Sequence, residues 1–245
     1  MAGTSPASES HAHGRISAVI LCPLRHEWRA VRRALRLFAK PVRILCTGPG
    51  HAALQRIRPE LEGHLETDQA NSSVPLILAG LAGALTADAR VGATYRIDQV
   101  ISARGESRAP TWTGSLDHLP GASLTTTSRA VRRSEDRRSL NRETGAELVD
   151  MESTGFIELA DQLGHPWAIV RSISDGVHDR LPEGIDGWIN ERGGVRTMRI
   201  LASCAKRPST LADLFRLQRS SQRALKSLGA SLQTALSNTV DQRHR

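Results

Sequence analysis

The chain has 245 residues, of which 39% are hydrophobic, so it can build the core of one large globular domain. Lys and Arg number 33 against 25 Asp and Glu, and the net charge of +8 fits either a solvated basic surface or attraction to anionic ligands, membranes or nucleic acid. Aromatic residues make up only 3%, which argues against stacking on single-stranded bases.

Sequence features that would direct the chain out of the cytoplasm are missing. The three cysteines, Cys22, Cys46 and Cys204, have neither a disulfide nor a metal-ligand spacing, which is typical of a reducing compartment. Residues 1–14 are small and polar, unlike a signal peptide, and no apolar run reaches the roughly 18 residues of a membrane span. We predict a cytoplasmic protein with one domain at residues 15–238 between disordered tails at 1–14 and 239–245.

The first half of the chain predicts strands alternating with helices. Apolar runs at residues 16–22, 42–46 and 74–79 predict three buried strands, and residues 91–101 predict a partly alternating fourth. An Arg-rich amphipathic helix follows the first strand and extends to about Ala39. This order is typical of an α/β domain.

Two segments of small residues follow the second and third strands. TGPG at residues 47–50 permits a tight turn close to a ligand, but the Gly-Lys-Ser/Thr of a Walker sequence does not follow. Residues 80–85 (GLAGAL) predict a turn whose N–H groups face a ligand, and tight packing explains them equally well. Glu27, after the first strand, is either a first-turn acid favoured by the helix dipole or a carboxylate at the rim of the sheet.

Two segments are rich in charge. Residues 129–142 (RAVRRSEDRRSLNR) lack aromatic residues and include two acids, so we interpret them as a solvated connection or helix and not as a nucleic-acid site. Residues 211–236 predict a long amphipathic helix. The sequence from Lys206 onward contains eight Lys or Arg but only two Asp. Such a helix either packs on the sheet with its basic face exposed or makes peripheral contact with an anionic membrane.

Residues 145–175 predict a strand, a helix and a second strand with acids at both strand ends. The first strand covers residues 146–150, the helix covers 153–163, and the second strand covers 167–173. Gly164 and Pro166 end the helix. In open α/β sheets, chemistry lies at the carboxyl ends of the strands. We therefore expect the acids of DME (150–152) and SD (174–175) at one rim.

These motifs together resemble the nucleoside phosphorylase/nucleosidase superfamily, on the side of the methylthioadenosine/S-adenosylhomocysteine nucleosidases. In chain order they are Glu27, TGPG at 47–50, AGLAGAL at 79–85 followed by VGATYRIDQVI, VDMES at 149–153 and SISD at 172–175. The resemblance implies an α/β fold, a three-layer α/β/α sandwich with a central mixed, twisted sheet. It also implies neither a metal nor a cofactor.

The resemblance further implies a role for each matching residue. Asp175 would be the general acid that protonates N7 of the purine, and Glu27 would orient and deprotonate the attacking water. Glu152 would bind the ribose hydroxyls, and Met151 would pack against the sugar. The rest of the predicted substrate site, including backbone donors, consists of Gly80, Ala82, Gly83 and Ser174. Such chemistry needs one protonated acid and others that are ionised, so their pKa values must differ.

The implied activity is hydrolysis of the N-glycosidic bond of an adenosine-type, 5′-substituted nucleoside, with release of adenine. Phosphorolysis stays open: residues 76–79 lack the Arg that phosphorylases of this group often carry, and Glu27 would repel phosphate, but Arg25 could bind it. A catalytically inactive nucleoside-binding relative is the other alternative. A nucleic-acid partner is not expected, and a homodimer is expected by analogy alone.

The chain departs from the nucleosidase pattern in several places. Ala84 stands where many nucleosidases have Gly, and Leu81 where many have a small polar residue. No base-stacking aromatic residue precedes VDMES, where the chain has threonines at 125–127 and Arg129. The long tail resembles the hopanoid-associated branch, which is thought to remove adenine from adenosylhopane. A lipid-borne substrate of that kind would give the basic helix a purpose.

Overall fold

The computed structural model describes residues 16–38, 41–66, 74–114, 116–198, 200 and 209–238. The predicted tails at 1–14 and 239–245 lie outside these ranges. The strands are β1 (Ala18–Cys22), β2 (Val42–Cys46), β3 (Leu76–Ala84), β4 (Thr94–Ile101), β5 (Ser107–Arg108), β6 (Gly121–Thr126), β7 (Leu148–Asp150) and β8 (Trp167–Asp175). The helices are α1 (Arg25–Ala34), α2 (His51–Glu66), α3 (Ser134–Thr144), α4 (Ser153–Leu163) and α5 (Ser209–Asn238).

The core lies on both faces of the sheet. Alternate residues of β1, β3 and β8 point to opposite faces because successive side chains in a strand alternate. One face packs against α2 and α4, through Leu54 and Leu61 on one helix and Phe156 and Leu159 on the other. The other face packs against α1 and α5. These four helices therefore form a layer on each side of the sheet.

The eight described strands form one mixed sheet that partly closes on itself. Its order is β2-β1-β3-β7-β6-β4-β5, and β8 pairs with both β3 and β4. The pairing of β8 is parallel to β3 and antiparallel to β4. The strands β3, β7, β6, β4 and β8 thus form a closed ring, from which β1 and β2 extend on one side and β5 on the other.

The predicted turn at residues 80–85 is wrong over most of its length. β3 continues from Leu76 through Ala84, because residues 76–83 pair with β8 and residues 83–84 pair with β7. Gly80 and Gly83 instead fit tight packing, the other explanation that the sequence left open, because buried charged side chains of neighbouring elements approach them closely. The prediction that the first helix extends to about Ala39 is also wrong. It ends at Ala34, and Phe38 N–H donates a hydrogen bond to Leu35 O in the turn that follows.

For most other elements, the predicted bounds are close to the observed ones. The strand at 42–46 and the helix at 153–163 have the bounds that the sequence predicts. The predicted α/β fold with a central mixed sheet is confirmed. Within the described ranges, none of the helices combines the length and apolarity needed to cross a membrane.

Candidate active site

Glu27 is an acid of the first helical turn whose side chain turns into the protein. The residue is 2% exposed. Its Oε2 accepts a hydrogen bond from Leu24 N–H (2.7 Å) at the helix start, and its Oε1 accepts one from Leu81 N–H (2.8 Å) on β3. Both interpretations offered by the sequence therefore apply, because the carboxylate caps the helix and faces the sheet. Burial raises the pKa of Glu27 to about 7, although Arg171 and the two N–H donors favour the ionised form.

Glu152 connects the VDMES motif to the TGPG turn. Its Oε1 accepts a hydrogen bond from Gly50 N–H (3.0 Å), and its Oε2 lies 3.5 Å from Arg171 Nη2. Gly50 has φ 78° and Gly48 has φ 88°, a conformation that favours glycine, so the two glycines make this turn feasible. Burial and the neighbouring carboxylate of Asp150 raise the pKa of Glu152 to about 7.

Arg171 is the buried cation of this region, at 0% exposure. Its Nη2 forms an ion pair with Asp150, whose carboxylate also accepts hydrogen bonds from Thr126 Oγ1 (3.0 Å) and Ser153 Oγ (2.5 Å). Burial opposes the charge on Arg171, but the carboxylates of Asp150, Glu152 and Glu27 outweigh it and raise its pKa. Asp150 therefore holds Arg171 in place and keeps it charged.

Two donors of Arg171 remain unused. Among the buried side chains that the structure describes, Arg171 Nε and Nη1 have no hydrogen-bond partner. Nη1 lies beside Gly80, where an added Cβ would be 2.5 Å from Nη1 and 2.9 Å from Glu27 Oε1. A charged donor and a carboxylate oxygen thus meet at one glycine. Buried donors normally have partners, so this pair is suited to a water or a substrate oxygen.

Asp175 lies further along the same strand pair. Its Oδ2 forms an ion pair with Arg137 Nη2, and its Oδ1 accepts a hydrogen bond from Ser174 Oγ at 2.5 Å. A β-bulge makes Gly83 the neighbour of Asp175, and an added Cβ there would be 2.9 Å from Asp175 Oδ2. Residue 83 therefore has to be a glycine, because a side chain there would collide with the Asp175 carboxylate.

The structure brings two of the three predicted acids together directly. Glu27 and Glu152 both flank Arg171, while Asp175 lies beside Gly83. Gly80 and Gly83 are three strand residues apart, about 10 Å along β3. The two ends of the site are therefore separated by about the length of a nucleoside. Between them, Ala82 O lies 3.3 Å from Ser174 Oγ, and Met151 is half-buried.

A segment after β8 packs against the start of α1 and the TGPG turn. Gly193 O accepts a hydrogen bond from Arg25 N–H (3.0 Å), and a Cβ on Gly48 would be 2.2 Å from Glu191 O. Next to this contact is a cavity of about 270 Å³ whose lining includes Arg25, Arg56, Arg192, Glu191 and Thr47. Its charge is mainly positive, and it adjoins the turn that contacts Glu152.

The sequence assigned no function to three charged residues of the site. Arg171 lies within the predicted strand at 167–173, where its signal is a cation inside a run that is otherwise buried. Asp150 is among the acids expected at the rim, but without a role of its own. Arg137 lies in the segment interpreted as solvated, but it is 1% exposed, so that interpretation is wrong at this residue. Nothing in its local sequence distinguishes it from Arg138, which is exposed.

The threonines at 125–127 lie where the resemblance leads us to expect an aromatic residue that stacks on the base, and their hydroxyls form hydrogen bonds within the protein. Thr125 Oγ1 donates a hydrogen bond to Ile101 O (2.8 Å), and Thr126 Oγ1 donates one to Asp150 Oδ1 (3.0 Å). Thr127 Oγ1 donates one to Arg129 O (2.8 Å). These hydroxyls therefore support the strand end next to the site.

Comparison with known proteins gives a family match over part of the chain. A family model described as "Phosphorylase superfamily" matches residues 118–206. No match was found among curated proteins.

Solved structures resemble the whole chain at low sequence identity. Futalosine hydrolase of Helicobacter pylori strain 26695 has 14% identity and a TM-score of 0.63, with 94% of this chain and 100% of that chain covered. The 5′-methylthioadenosine/S-adenosylhomocysteine nucleosidase of Helicobacter pylori with butyl-thio-DADMe-Immucillin-A has 15% identity and a TM-score of 0.62, covering 93% and 99%. The nucleosidase of this type from Colwellia psychrerythraea 34H, in complex with adenine, has 15% identity and a TM-score of 0.63, covering 91% and 96%.

At these identities the structural likeness establishes the fold. The chain has the nucleoside phosphorylase-like fold, and the resemblance to the nucleoside phosphorylase/nucleosidase superfamily that the sequence predicts is confirmed.

Proposed function

We propose that the protein is an N-ribosyl hydrolase that cleaves an adenosine-type purine nucleoside with a 5′ substituent and releases adenine. The observation that carries this proposal is the meeting of Glu27 Oε1 and the unpartnered Arg171 Nη1 at Gly80. A water there would receive a hydrogen bond from Arg171 and give its proton to Glu27. A carboxyl group whose pKa is about 7 is suited to take up a proton near neutral pH.

The proposed reaction breaks the bond between C1′ of the ribose and N9 of the purine. The bonding electrons leave with the base, while Asp175 acts as the acid that passes a proton from solvent to N7. Positive charge develops on the ribose, and the carboxylates of Glu27 and Glu152 stabilise it. The oxygen of the water bonds to C1′, and its proton moves to Glu27. Glu152, held by Gly50, would also bind the ribose hydroxyls, and Met151 would pack against the sugar.

The test is a product assay with purified protein on adenosine, methylthioadenosine, S-adenosylhomocysteine and adenosylhopane. We expect free adenine and the matching free ribose derivative from at least one of them. Release of no base from any of the four, by protein that binds a nucleoside, would favour a catalytically inactive relative.

Phosphorolysis is the second candidate, and the cavity lined by Arg25, Arg56 and Arg192 is the observation that favours it. A phosphorylase needs cationic donors around a phosphate. Against it, the buried carboxylate of Glu27 would repel phosphate, and Glu191 is also part of the cavity lining. The same assay with added phosphate distinguishes the two. We expect free ribose products, and a ribose-1-phosphate product would establish the phosphorylase.

The 5′ substituent is proposed to be either a small thioether, as in methylthioadenosine, or a lipid such as that of adenosylhopane. The exposed side of α5 supports the lipid, because Phe215 is 54% exposed and lies with Arg216, Arg219 and Arg223 along one cavity. Such a surface suits peripheral contact with an anionic membrane. Flotation with anionic vesicles, compared between the natural protein and Phe215→Ser, tests the contact.

We also propose that the protein acts in the cytoplasm as a homodimer. The proposal rests on analogy with the fold and on the basic, cysteine-poor sequence. Light scattering of the purified protein measures the mass directly, and a monomer at assay concentration would contradict the dimer.

A further inference from the structure

Arg137 is a buried guanidinium whose donors all point to the region of Asp175. Its Nε donates a hydrogen bond to Val131 O (3.0 Å), and its Nη1 donates to Ala84 O (3.1 Å) and Gly176 O (3.2 Å). Its Nη2 forms the ion pair with Asp175. Arg137 therefore joins the end of β3, the end of β8 and the segment before α3 at one point.

The burial of Arg137 differs from that of the other arginines in and next to α3. Arg133, Arg138 and Arg142 of the same region are all exposed, whereas Arg137 is 1% exposed. Removing a guanidinium from water is unfavourable unless hydrogen bonds and a counter-ion compensate. The counter-ion of Arg137 is the carboxylate that the proposed mechanism uses as the acid.

Two donors hold that carboxylate from different directions. Ser174 Oγ lies 2.5 Å from Asp175 Oδ1, and Arg137 contacts Oδ2. Gly83 lies against a third side, because a Cβ there would be 2.9 Å from Asp175 Oδ2 and 3.1 Å from Arg137 Nη1. The carboxyl group consequently has little freedom to rotate. Both donors also stabilise the negative charge that stays on the oxygens when a proton leaves.

From these contacts we infer that Arg137 is a positioning residue for base protonation, acting through Asp175. This inference rests on the proposed function. When the proton of Asp175 moves to N7 and the C1′–N9 electron pair leaves with the base, the new carboxylate faces a fixed cation. The interaction is thus stronger after proton transfer than before it, which is the condition for lowering a barrier.

A purely structural role makes a different prediction from this one. Arg137 also binds four backbone carbonyls, including that of Asp175, so its loss could loosen the ends of β3 and β8 without any specific effect on proton transfer. The two roles separate when the leaving group needs no proton. A 4-nitrophenyl riboside releases a stable phenolate, so its hydrolysis bypasses the acid but still needs the ribose site and the water.

The experiment compares Arg137→Met and Arg137→Lys with Arg138→Met, a neighbour on α3 that is exposed. We expect Arg137→Met to lower kcat for the nucleoside by roughly 10²-fold, the size of a general-acid contribution, with KM changed little. Hydrolysis of the 4-nitrophenyl riboside should stay within about threefold of the natural protein, Arg137→Lys should recover part of the loss because it keeps the charge, and Arg138→Met should match the natural protein.

A second measurement covers the case in which the riboside is a poor substrate. If Arg137 acts through Asp175, the double variant Arg137→Lys/Asp175→Asn should be no slower on the nucleoside than Asp175→Asn alone. Parallel loss of both substrates, a further loss in the double variant, or unchanged nucleoside turnover in Arg137→Met would each overturn the inference. A natural protein that releases no base would contradict the proposed function instead, and circular dichroism distinguishes a variant that fails to fold.

Discussion

The Gly50 N–H donates a hydrogen bond of 3.0 Å to Glu152 Oε1, joining the TGPG turn to the VDMES motif across 102 residues of sequence. Glu152 in turn lies 3.5 Å from Arg171, which Asp150 holds in an ion pair. At one end of the candidate site, hydrogen bonds and ion pairs thus link four groups in one network: the TGPG turn after β2, Asp150 on β7, Glu152, and Arg171 on β8. Removal of one member should affect the others.

Asp175→Asn is expected to abolish base release while the protein stays folded. An amide cannot give its proton to N7, so kcat should fall by roughly 10²–10⁴-fold. Stability should fall by about 3 kcal/mol, because the buried Arg137 loses its counter-ion. Adenine release and thermal unfolding measure the two effects. Asp161→Asn makes the same change in an exposed ion pair with Arg108 and should alter neither. Near-normal turnover in Asp175→Asn would remove this residue as the acid.

Glu27→Gln is expected to stop hydrolysis and still permit nucleoside binding. The amide can accept a hydrogen bond from Leu81 N–H but cannot take a proton from water. Calorimetric titration with a nucleoside should give an affinity close to that of the natural protein, while single-turnover release of adenine is lost. Glu62→Gln, in an ion pair with Arg58 on α2, is the matched control. Unchanged turnover in Glu27→Gln would rule out the water-activating role.

Stability is expected to decrease as pH rises from about 4.5 to about 7. Burial raises the pKa of Glu27 and of Glu152 to about 7, so the folded protein binds protons that the unfolded chain releases near pH 4.5. Each of the two groups, when protonated, stabilises the folded protein by on the order of 3 kcal/mol. This stabilisation is complete below pH 4.5 and is lost as the pH rises past 7. Urea unfolding at several pH values measures it. Glu27→Gln should flatten the dependence, and an unchanged slope in that variant would contradict the assignment.

Gly80→Ala is expected to damage the site more than the fold. The added Cβ would be 2.5 Å from Arg171 Nη1 and 2.9 Å from Glu27 Oε1, so one of these side chains must move. We expect activity to fall at least tenfold and stability to fall by about 1–3 kcal/mol, as in other overpacked sites. Gly63→Ala on α2 is the control, since its Cβ would meet nothing within 4 Å. Equal activity of the two variants would show that the close approach has no functional importance.

The sequence predicted the fold well because apolar periodicity and breakers are local signals. The helix at 153–163 has its predicted bounds, since its apolar face and Gly164, with φ 68° at its end, both lie within the segment. The small residues at 80–84 were less informative, because the sequence allowed either a turn or tight packing. Gly80 lies against Arg171 and Glu27, Gly83 lies against Asp175 and Arg137, and crowding from distant residues leaves no local pattern.

The charged pairs of the site could not be predicted from the sequence, for the same reason. Arg137 and Arg138 are identical in type and adjacent, and their burial differs because only one of them faces the gap between the ends of β3 and β8. The assignment of Asp175 beside Gly83 depends on a bulge after Ala82, which single-sequence periodicity does not indicate. The fold thus follows from local preference, whereas the charge network follows from strand register.

The closed ring of β3, β7, β6, β4 and β8 limits how copies of this protein can associate. A strand whose two sides are already paired offers no backbone groups to another chain. Continuous β-pairing between molecules is therefore restricted to the outer edges at β2 and β5, while the strands that carry Asp150, Arg171 and Asp175 are shielded from such additions. Aggregation through the sheet would have to begin at those edges, away from the charged residues of the ring.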